Sequence, residues 1–480
     1  MKKQALALVF ANGINFLVNF VMNPFLARQL TYEDNATYGQ INLINGYATT
    51  LFAFGLPAVI NVLLVEFKKK ENTLLSNIFT FQVFSASLCV LLLFLFQSDI
   101  STLFANEELG YYLLQNLPST FIMILIYLVN YYYIYFKKSV QLSIITVVVN
   151  VIKIGLVFYA VNVLESLYYV IVLINLVNLI QLFVHFFILR KNLLPIVFPT
   201  FRQIKYVLKL SYPFLGISII SYSILYAYGV VVSNQLGPVQ FAIYRNGALE
   251  IPFFASLWAT ITSVALPQIV VLTKENRIEE LMRLKRKISN TVAFLIYPVV
   301  FFVIFNGDTF MELYLGNKYI QSGIVFSIYN LAVLIRINSY SDILTVAKKP
   351  MKIIGPNLIS FIAGLILTFI LLPTFGVNAA AFAFVFAILL MSFFLVYNSC
   401  KVIGVKIKEY FDFVYLFKLT LVCCILSIVS YFFMKPNLIS FMLNGLIYIV
   451  TVYLILTKMK LFELELLPLK IQKIIKRFSP

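Results

Sequence analysis

The sequence predicts an all-α, polytopic membrane protein of about fourteen transmembrane helices, and three observations predict it. Of its 480 residues 61% are hydrophobic and only 12% charged, with a mean hydropathy of +0.94, whereas soluble domains carry about 25% charged residues. The chain divides into apolar blocks near the roughly 20 residues that cross a hydrocarbon core. Lys and Arg gather in every second connection between those blocks, which is the bias of cytoplasmic loops.

The blocks run, in order, over 5–27, 40–65, 74–97, 112–136, 140–162, 166–189, 210–233, 239–272, 288–306, 320–346, 353–373, 377–400, 413–433 and 437–457. The start Met1-Lys2-Lys3 leads into an apolar run with no small-residue cleavage site, so the first block reads as a retained helix rather than a signal peptide. With the N-terminus inside, the cytoplasmic connections are Lys68 to Lys70, Lys137 and Lys138, Arg190 to Lys209, Lys274 to Lys287, Lys348 to Lys352, Lys401 to Lys408 and the tail from Lys458. Together with Lys2 and Lys3 they contain 30 of the 37 basic residues, while the outward connections hold Arg28, Lys318 and Lys435. A miscounted span would invert every later loop. The unbroken alternation therefore supports both the count and an orientation with both termini in the cytoplasm.

The formal net charge of +18 reads as topology signal and as attraction to anionic lipid headgroups, and nucleic acid is not an expected partner. Cys89, Cys400, Cys423, Cys424 and the single histidine, His185, all lie inside apolar runs, so neither a disulfide framework nor a metal cluster is expected. No phosphate-binding glycine loop and no nucleophile constellation can be assembled. Covalent catalysis and a cofactor are therefore not expected.

A faint internal repeat organises the blocks. Gln29-Leu30, Ala36 and Tyr38 match Gln235-Leu236, Ala242 and Tyr244 at one offset, and Lys137-Lys138 before block five echoes Lys348-Lys349 before block eleven. This suggests a six-helix lobe over 1–189, a basic cytoplasmic linker over 190–209, a second six-helix lobe over 210–400, two further helices within 401–457 and a basic tail over 458–480. In the tail Ile471, Ile474, Ile475 and Phe478 share one helical face, an arrangement suited to lying on the membrane surface.

Charged side chains at the bilayer centre cost at least about 2.5–3.5 kcal/mol on insertion scales, so those that remain are candidates for function. They are Lys153 in block five, Arg245 and Glu250 in block eight, and Arg336 and Asp342 in block ten. Lys153, Arg245 and Arg336 make a net-positive interior suited to an anionic group such as pyrophosphate. Glu250 is a candidate for ion coupling, as is Asp342, which could instead neutralise Lys348 or Lys349. The alternative for each cation is a partner carboxylate and a purely structural role. Asn12, Asn15, Asn19 and Asn23 fall on one stripe of block one that either lines a cavity or glues helices together, and Pro24 after it favours a bend. Tyr127, Tyr131, Tyr132, Tyr133 and Tyr135 suggest an interfacial aromatic belt, with a platform for sugar rings as the alternative.

Several local patterns resemble the polysaccharide transporter family, the Wzx-type repeat-unit flippases of the multidrug/oligosaccharidyl-lipid/polysaccharide exporter superfamily. An Asn-rich first helix with Pro24 is followed by Ala36-Thr37-Tyr38-Gly39, and the segment Leu372-Pro373-Thr374-Phe375-Gly376-Val377-Asn378-Ala379-Ala380-Ala381 resembles that family's hairpin before the twelfth helix, with alanine at 379 where glycine is usual. The resemblance implies a V-shaped bundle of two lobes working by alternating access in a bacterial cytoplasmic membrane. It implies a cargo of undecaprenyl-pyrophosphate-linked oligosaccharide, moved from the inner to the outer leaflet for capsule, O-antigen or exopolysaccharide assembly. A polysaccharide polymerase and chain-length proteins are candidate partners. Two rivals remain open: a lipid II flippase, and a cation-coupled multidrug exporter, which would want more buried carboxylates.

Overall fold

The computed structural model describes residues 2–66, 71–193, 201–251, 254–459 and 461. Lys68 to Lys70, the 194–200 part of the basic linker and the amphipathic tail beyond 461 lie outside the described residues, as does the side chain of Asn12. The described chain is helical throughout, and its contacts divide it into two compact units, Met1–Ala242 and Ile243–Pro480.

The first unit contains α1 (Lys2–Gln29), α2 (Tyr32–Phe52), α3 (Leu56–Glu66), α4 (Glu71–Leu95), the short α5 (Gln97–Leu103), α6 (Leu109–Tyr135), α7 (Ser139–Asn162), α8 (Leu167–Leu193) and α9 (Phe201–Leu236). α6 is its hub, packing against α2, α3, α4 and α8, while α1 pairs with α7. Between apolar helices in lipid, association rests on close packing and interhelical hydrogen bonds rather than on escape from water. The unit shows both. Leu56, Ile60 and Leu63 of α3 bury against Leu128 and Tyr132 of α6. Asn106 donates to Thr37 Oγ1 (2.8 Å) and Gln40 Oε1 (2.6 Å), and Gln40 donates to Ser233 of α9 (2.8 Å).

The block expected over 40–65 is not one rod. It is α2 and α3, separated by Phe54 (φ 49°) and Gly55 (φ 68°). Gly55 permits this bend because its backbone is left-handed and because a Cβ there would sit 2.7 Å from the Leu215 backbone nitrogen of α9. α9 packs on α2, α3 and α5, so the contact boundary falls one helix later than the sequence boundary at the basic linker. α1 continues as helix through Pro24.

The second unit contains the second half of α10 (Pro238–Gly247), then α11 (Phe254–Lys274), α12 (Ile278–Phe305), α13 (Gly307–Leu315), α14 (Ser322–Ile335), α15 (Asp342–Val346), α16 (Met351–Phe375), α17 (Asn378–Ile403), α18 (Phe413–Phe432) and α19 (Leu438–Lys458). α12 is the most enclosed of the apolar spans. It packs on α11, α14 and α18, and α19 completes the group. α16 and α17 form the hairpin anticipated at Leu372 to Ala381, closing on Gly376 (φ 52°) with Ala379, Ala380 and Ala381 wholly buried. Alanine at 379 therefore still allows close packing.

The blocks over 239–272 and 320–346 are also broken, each into two helices joined by non-helical backbone. Hydropathy averages across such interruptions, because their flanks are equally apolar. Ten helices among the described residues are long and apolar enough to cross a membrane. Large apolar side chains point away from the protein along α16, α18 and α19, among them Ile370, Phe417 and Ile447, each more than 60% exposed. Apolar surface of that extent needs lipid against it. The chain is a multi-pass membrane protein.

Candidate functional site

The α10–α11 interruption is anchored on Asn330 of α14. Its side-chain oxygen accepts the Ile251 amide (3.0 Å), and its nitrogen donates to the carbonyls of Leu249 (2.9 Å) and Phe326 (2.8 Å). Backbone groups freed from helical pairing are thus bonded within the protein, which is the condition for non-helical backbone at membrane depth. Ser322 Oγ donates to the Ile243 carbonyl (2.8 Å), and Gly247 lets the end of α10 press against Ser322 and Val325, leaving no room for a Cβ.

Glu250 lies in the α10–α11 interruption and Arg336 at the end of α14, and the two form an ion pair. They are only half-buried, at 25% and 26% side-chain exposure. The guanidinium also stands 5.3 Å from the Phe254 ring centroid, within cation–π range. Its Nε–H is buried and finds no acceptor among the described residues. Arg245 lies in the last turn of α10, and the helix ends between it and Glu250.

Asp342 does not neutralise Lys348 or Lys349. It opens α15 and receives Lys285 of α12, whose ammonium lies 2.6 and 2.7 Å from its two oxygens, 2.6 Å from the Ser339 carbonyl and 3.2 Å from Asn338 Oδ1. Asn338 in turn donates to the Lys285 carbonyl and to Ser289 Oγ, each at 2.8 Å. Sequence reasoning counted Lys285 among loop charges and missed it. Its signal was the apolar spacing of Leu281, Leu284 and Ile288 around it, which extends the helix ten residues before the expected start of the span.

In the first unit the amide stripe divides. Asn15 accepts a hydrogen bond from Asn150 of α7, whereas Asn19 is exposed and Asn23 half-buried. Phe25 stacks on Phe158 along the same seam. Lys153 lies one turn beyond Asn150, on nearly the same face of α7, half-buried and without an ion-pair or hydrogen-bond partner among the described residues. The tyrosine cluster is not a simple belt. Tyr132 and Tyr133 are wholly buried, Tyr133 Oη lies 3.0 Å from His185 Nδ1, and Tyr135 donates to the Leu64 carbonyl. The expected belt fails there because α3 and α8 cover this end of α6. No group of residues able to hold a metal occurs among the described residues.

A family profile described as "Polysaccharide biosynthesis protein" matches residues 25–324. No curated protein sequence matches the chain significantly. Among solved structures, the lipid II flippase MurJ in an inward closed conformation is similar with a TM-score of 0.75 and 16% identity, over 96% of this chain and 98% of that one. An inward-facing multidrug resistance MATE transporter of the MOP superfamily gives a TM-score of 0.63 and 14% identity, over 81% of this chain and 94% of that one. A MOP superfamily transporter from Pyrococcus furiosus, titled for the reverse polarity of its binding pocket, gives 0.54 and 14% over 83% and 94%. These likenesses establish a shared fold.

Proposed function

The chain belongs to the polysaccharide biosynthesis protein family, and on that premise we propose that it is a flippase for a pyrophosphate-linked oligosaccharide carried on undecaprenol. It moves the repeat unit from the inner to the outer leaflet of the cytoplasmic membrane, with both of its own termini on the cytoplasmic side. The observation that carries this reading is the state of Arg336. A guanidinium placed where two helices are interrupted, with one arm on Glu250 and a buried Nε–H without an acceptor among the described residues, is equipped to receive a second anion. Guanidinium forks match phosphate oxygens in geometry as well as charge.

The chemistry follows from competition. Glu250 holds Arg336 while the site is empty, and a pyrophosphate must displace that carboxylate or share the fork with it. Carboxylate and cargo compete for one fork, which makes Glu250 the candidate coupling group. Lys153 in the first unit is a further candidate cation, and the amides of Asn19 and Asn23 suit sugar hydroxyls. Asp342, already committed to Lys285, is a poorer coupling group than Glu250.

The test is deletion of the gene in its host followed by analysis of lipid-linked intermediates. A complete repeat unit accumulating on the inner leaflet, relieved by the wild-type gene and not by Arg336→Ala, supports the proposal. Normal glycan with Arg336→Ala and Lys153→Ala variants would sink the electrostatic reading. The similarity to MurJ over nearly the whole chain favours a second reading, lipid II translocation. Accumulation of peptidoglycan precursor instead of a glycan repeat unit selects it, and drug sensitivity alone selects an exporter.

A further inference from the structure

The bend between α2 and α3 opens, within the first unit, onto a cavity of about 380 Å³ bounded by α6 and α9. Its wall carries Tyr127, Tyr131 and Tyr222 together with Thr50, Ser218 and Ser221, and no lining residue among the described residues is charged. Tyr127 and Tyr131 stand nearly perpendicular with centroids 6.2 Å apart, and Tyr222 is held edge-on to Tyr47 at 4.8 Å.

The three small hydroxyls are uncommitted. A serine or threonine inside a helix commonly donates to a carbonyl four residues back, as Thr49 does to Asn45 and Ser143 to Ser139. Thr50, Ser218 and Ser221 make no such bond among the described residues. Their donors and acceptors remain available to the cavity. The site thus offers aromatic faces and uncommitted hydroxyls together, and withholds charge.

That combination selects a ligand chemistry. A phosphate finds no cation here and a cationic drug finds no carboxylate. A wholly apolar molecule would strip water from three hydroxyls and leave them unpaired, an unfavourable exchange. A pyranose satisfies both halves: its axial C–H bonds carry slight positive charge that suits the negative face of an aromatic ring, and its hydroxyls both donate and accept. The volume is at the low end of the roughly 300–1,000 Å³ typical of small-molecule sites, which suits a terminal sugar rather than a whole repeat unit.

We propose that this cavity binds an uncharged sugar ring of the cargo, stacked on Tyr131 or Tyr222 and hydrogen-bonded to Thr50, Ser218 and Ser221. The assignment rests on the flippase reading for its biological ligand, while its chemistry can be tested alone. The full chain in lipid nanodiscs is examined by saturation-transfer NMR with a panel of methyl glycosides of hexoses, deoxyhexoses and N-acetylhexosamines, with cyclohexanol as the apolar control. Saturation of sugar ring protons is expected in the wild type. Loss of one stacking contact, about 1 kcal/mol, corresponds to roughly fivefold weaker binding in Tyr131→Ala, and loss of two hydrogen bonds at about 1 kcal/mol each to roughly thirtyfold in the Ser218→Ala/Ser221→Ala double variant, with Tyr131→Phe restoring most of the signal.

Saturation of no glycoside, or of cyclohexanol in preference to every glycoside, overturns the proposal, as do equal sugar signals in wild type and in both weakened variants. A folded Ser218→Ala/Ser221→Ala protein keeps the test decisive if Tyr131→Ala fails to fold. If gene deletion accumulates the repeat unit while the nanodiscs show no sugar binding, only the cavity assignment falls. If sugars bind and deletion leaves lipid-linked glycans undisturbed, the flippase reading falls.

Discussion

Lys285 and Asp342 form an ion pair from which water is excluded, with side-chain exposures of 0% and 4%. Every oxygen facing the ammonium comes from the α14–α15 interruption or from Asp342 at its end. The pair therefore fixes the irregular segment 336–341 to α12, the most enclosed helix of its unit. The Tyr410 ring, 5.6 Å from the ammonium, covers the site.

Removing one member leaves an uncompensated buried charge, which costs about 3–5 kcal/mol. Lys285→Ala and Asp342→Asn are each expected to lower the unfolding temperature of the detergent-solubilised protein. The Lys285→Ala/Asp342→Asn double variant should lose less than the sum of the two, because neither charge is then stranded. Strict additivity in a thermal-shift comparison would mean that the two residues do not act as a pair.

Arg336 distinguishes a fork from a mere positive charge. Arg336→Lys keeps the charge but surrenders the bidentate geometry, so it should restore only part of glycan export in a deletion strain, while Arg336→Ala restores none. Glu250→Gln removes the competing carboxylate and should tighten binding of inorganic pyrophosphate to the purified protein. Unchanged affinity in that titration would remove Glu250 from the scheme.

Gly55 is the residue that the α2–α3 bend demands. Gly55→Ala places a methyl group against the backbone of α9 in a left-handed conformation that costs alanine roughly 1–2 kcal/mol before any clash. The expected result is a lower unfolding temperature together with weakened sugar saturation. A variant with wild-type values for both would show that the bend does not shape the cavity.

Tyr133 separates a buried role from an interfacial one. A belt tyrosine gives up little when its hydroxyl is removed. A buried one strands its partner, here His185, at about 1–3 kcal/mol for the unsatisfied group. Tyr133→Phe should therefore destabilise the protein measurably more than Tyr127→Phe, whose residue is 41% exposed. Equal shifts for both in the same thermal assay would return Tyr133 to the belt.

The rods themselves are legible in the sequence because length and hydropathy govern insertion. α7 is expected over 140–162 and occupies Ser139–Asn162, and the hairpin at Gly376 closes where its proline and glycine suggest. The interruptions are not legible by the same route. Phe54-Gly55-Leu56-Pro57 did hold a bend signal, since glycine and proline punctuate helices. The break after Gly247 was marked as well, by Gly247 and Pro252, but what holds it is a partner, Asn330, about eighty residues away. Intramembrane charges are equally easy to find and hard to assign. Their chemistry depends on what faces them, and nothing local in Arg336 names Glu250.

Asn330 has a consequence for motion. With its oxygen on the Ile251 amide and its nitrogen on the Leu249 carbonyl, the break is a welded joint rather than a hinge, because bending it means tearing two hydrogen bonds held within the protein. Discontinuity in a helix is commonly equated with pliancy. Here the discontinuous stretch should be among the slowest-exchanging backbone of its unit, with the Ile251 amide as its reporter. Any rocking that carries cargo across the bilayer would then have to be accommodated by other backbone.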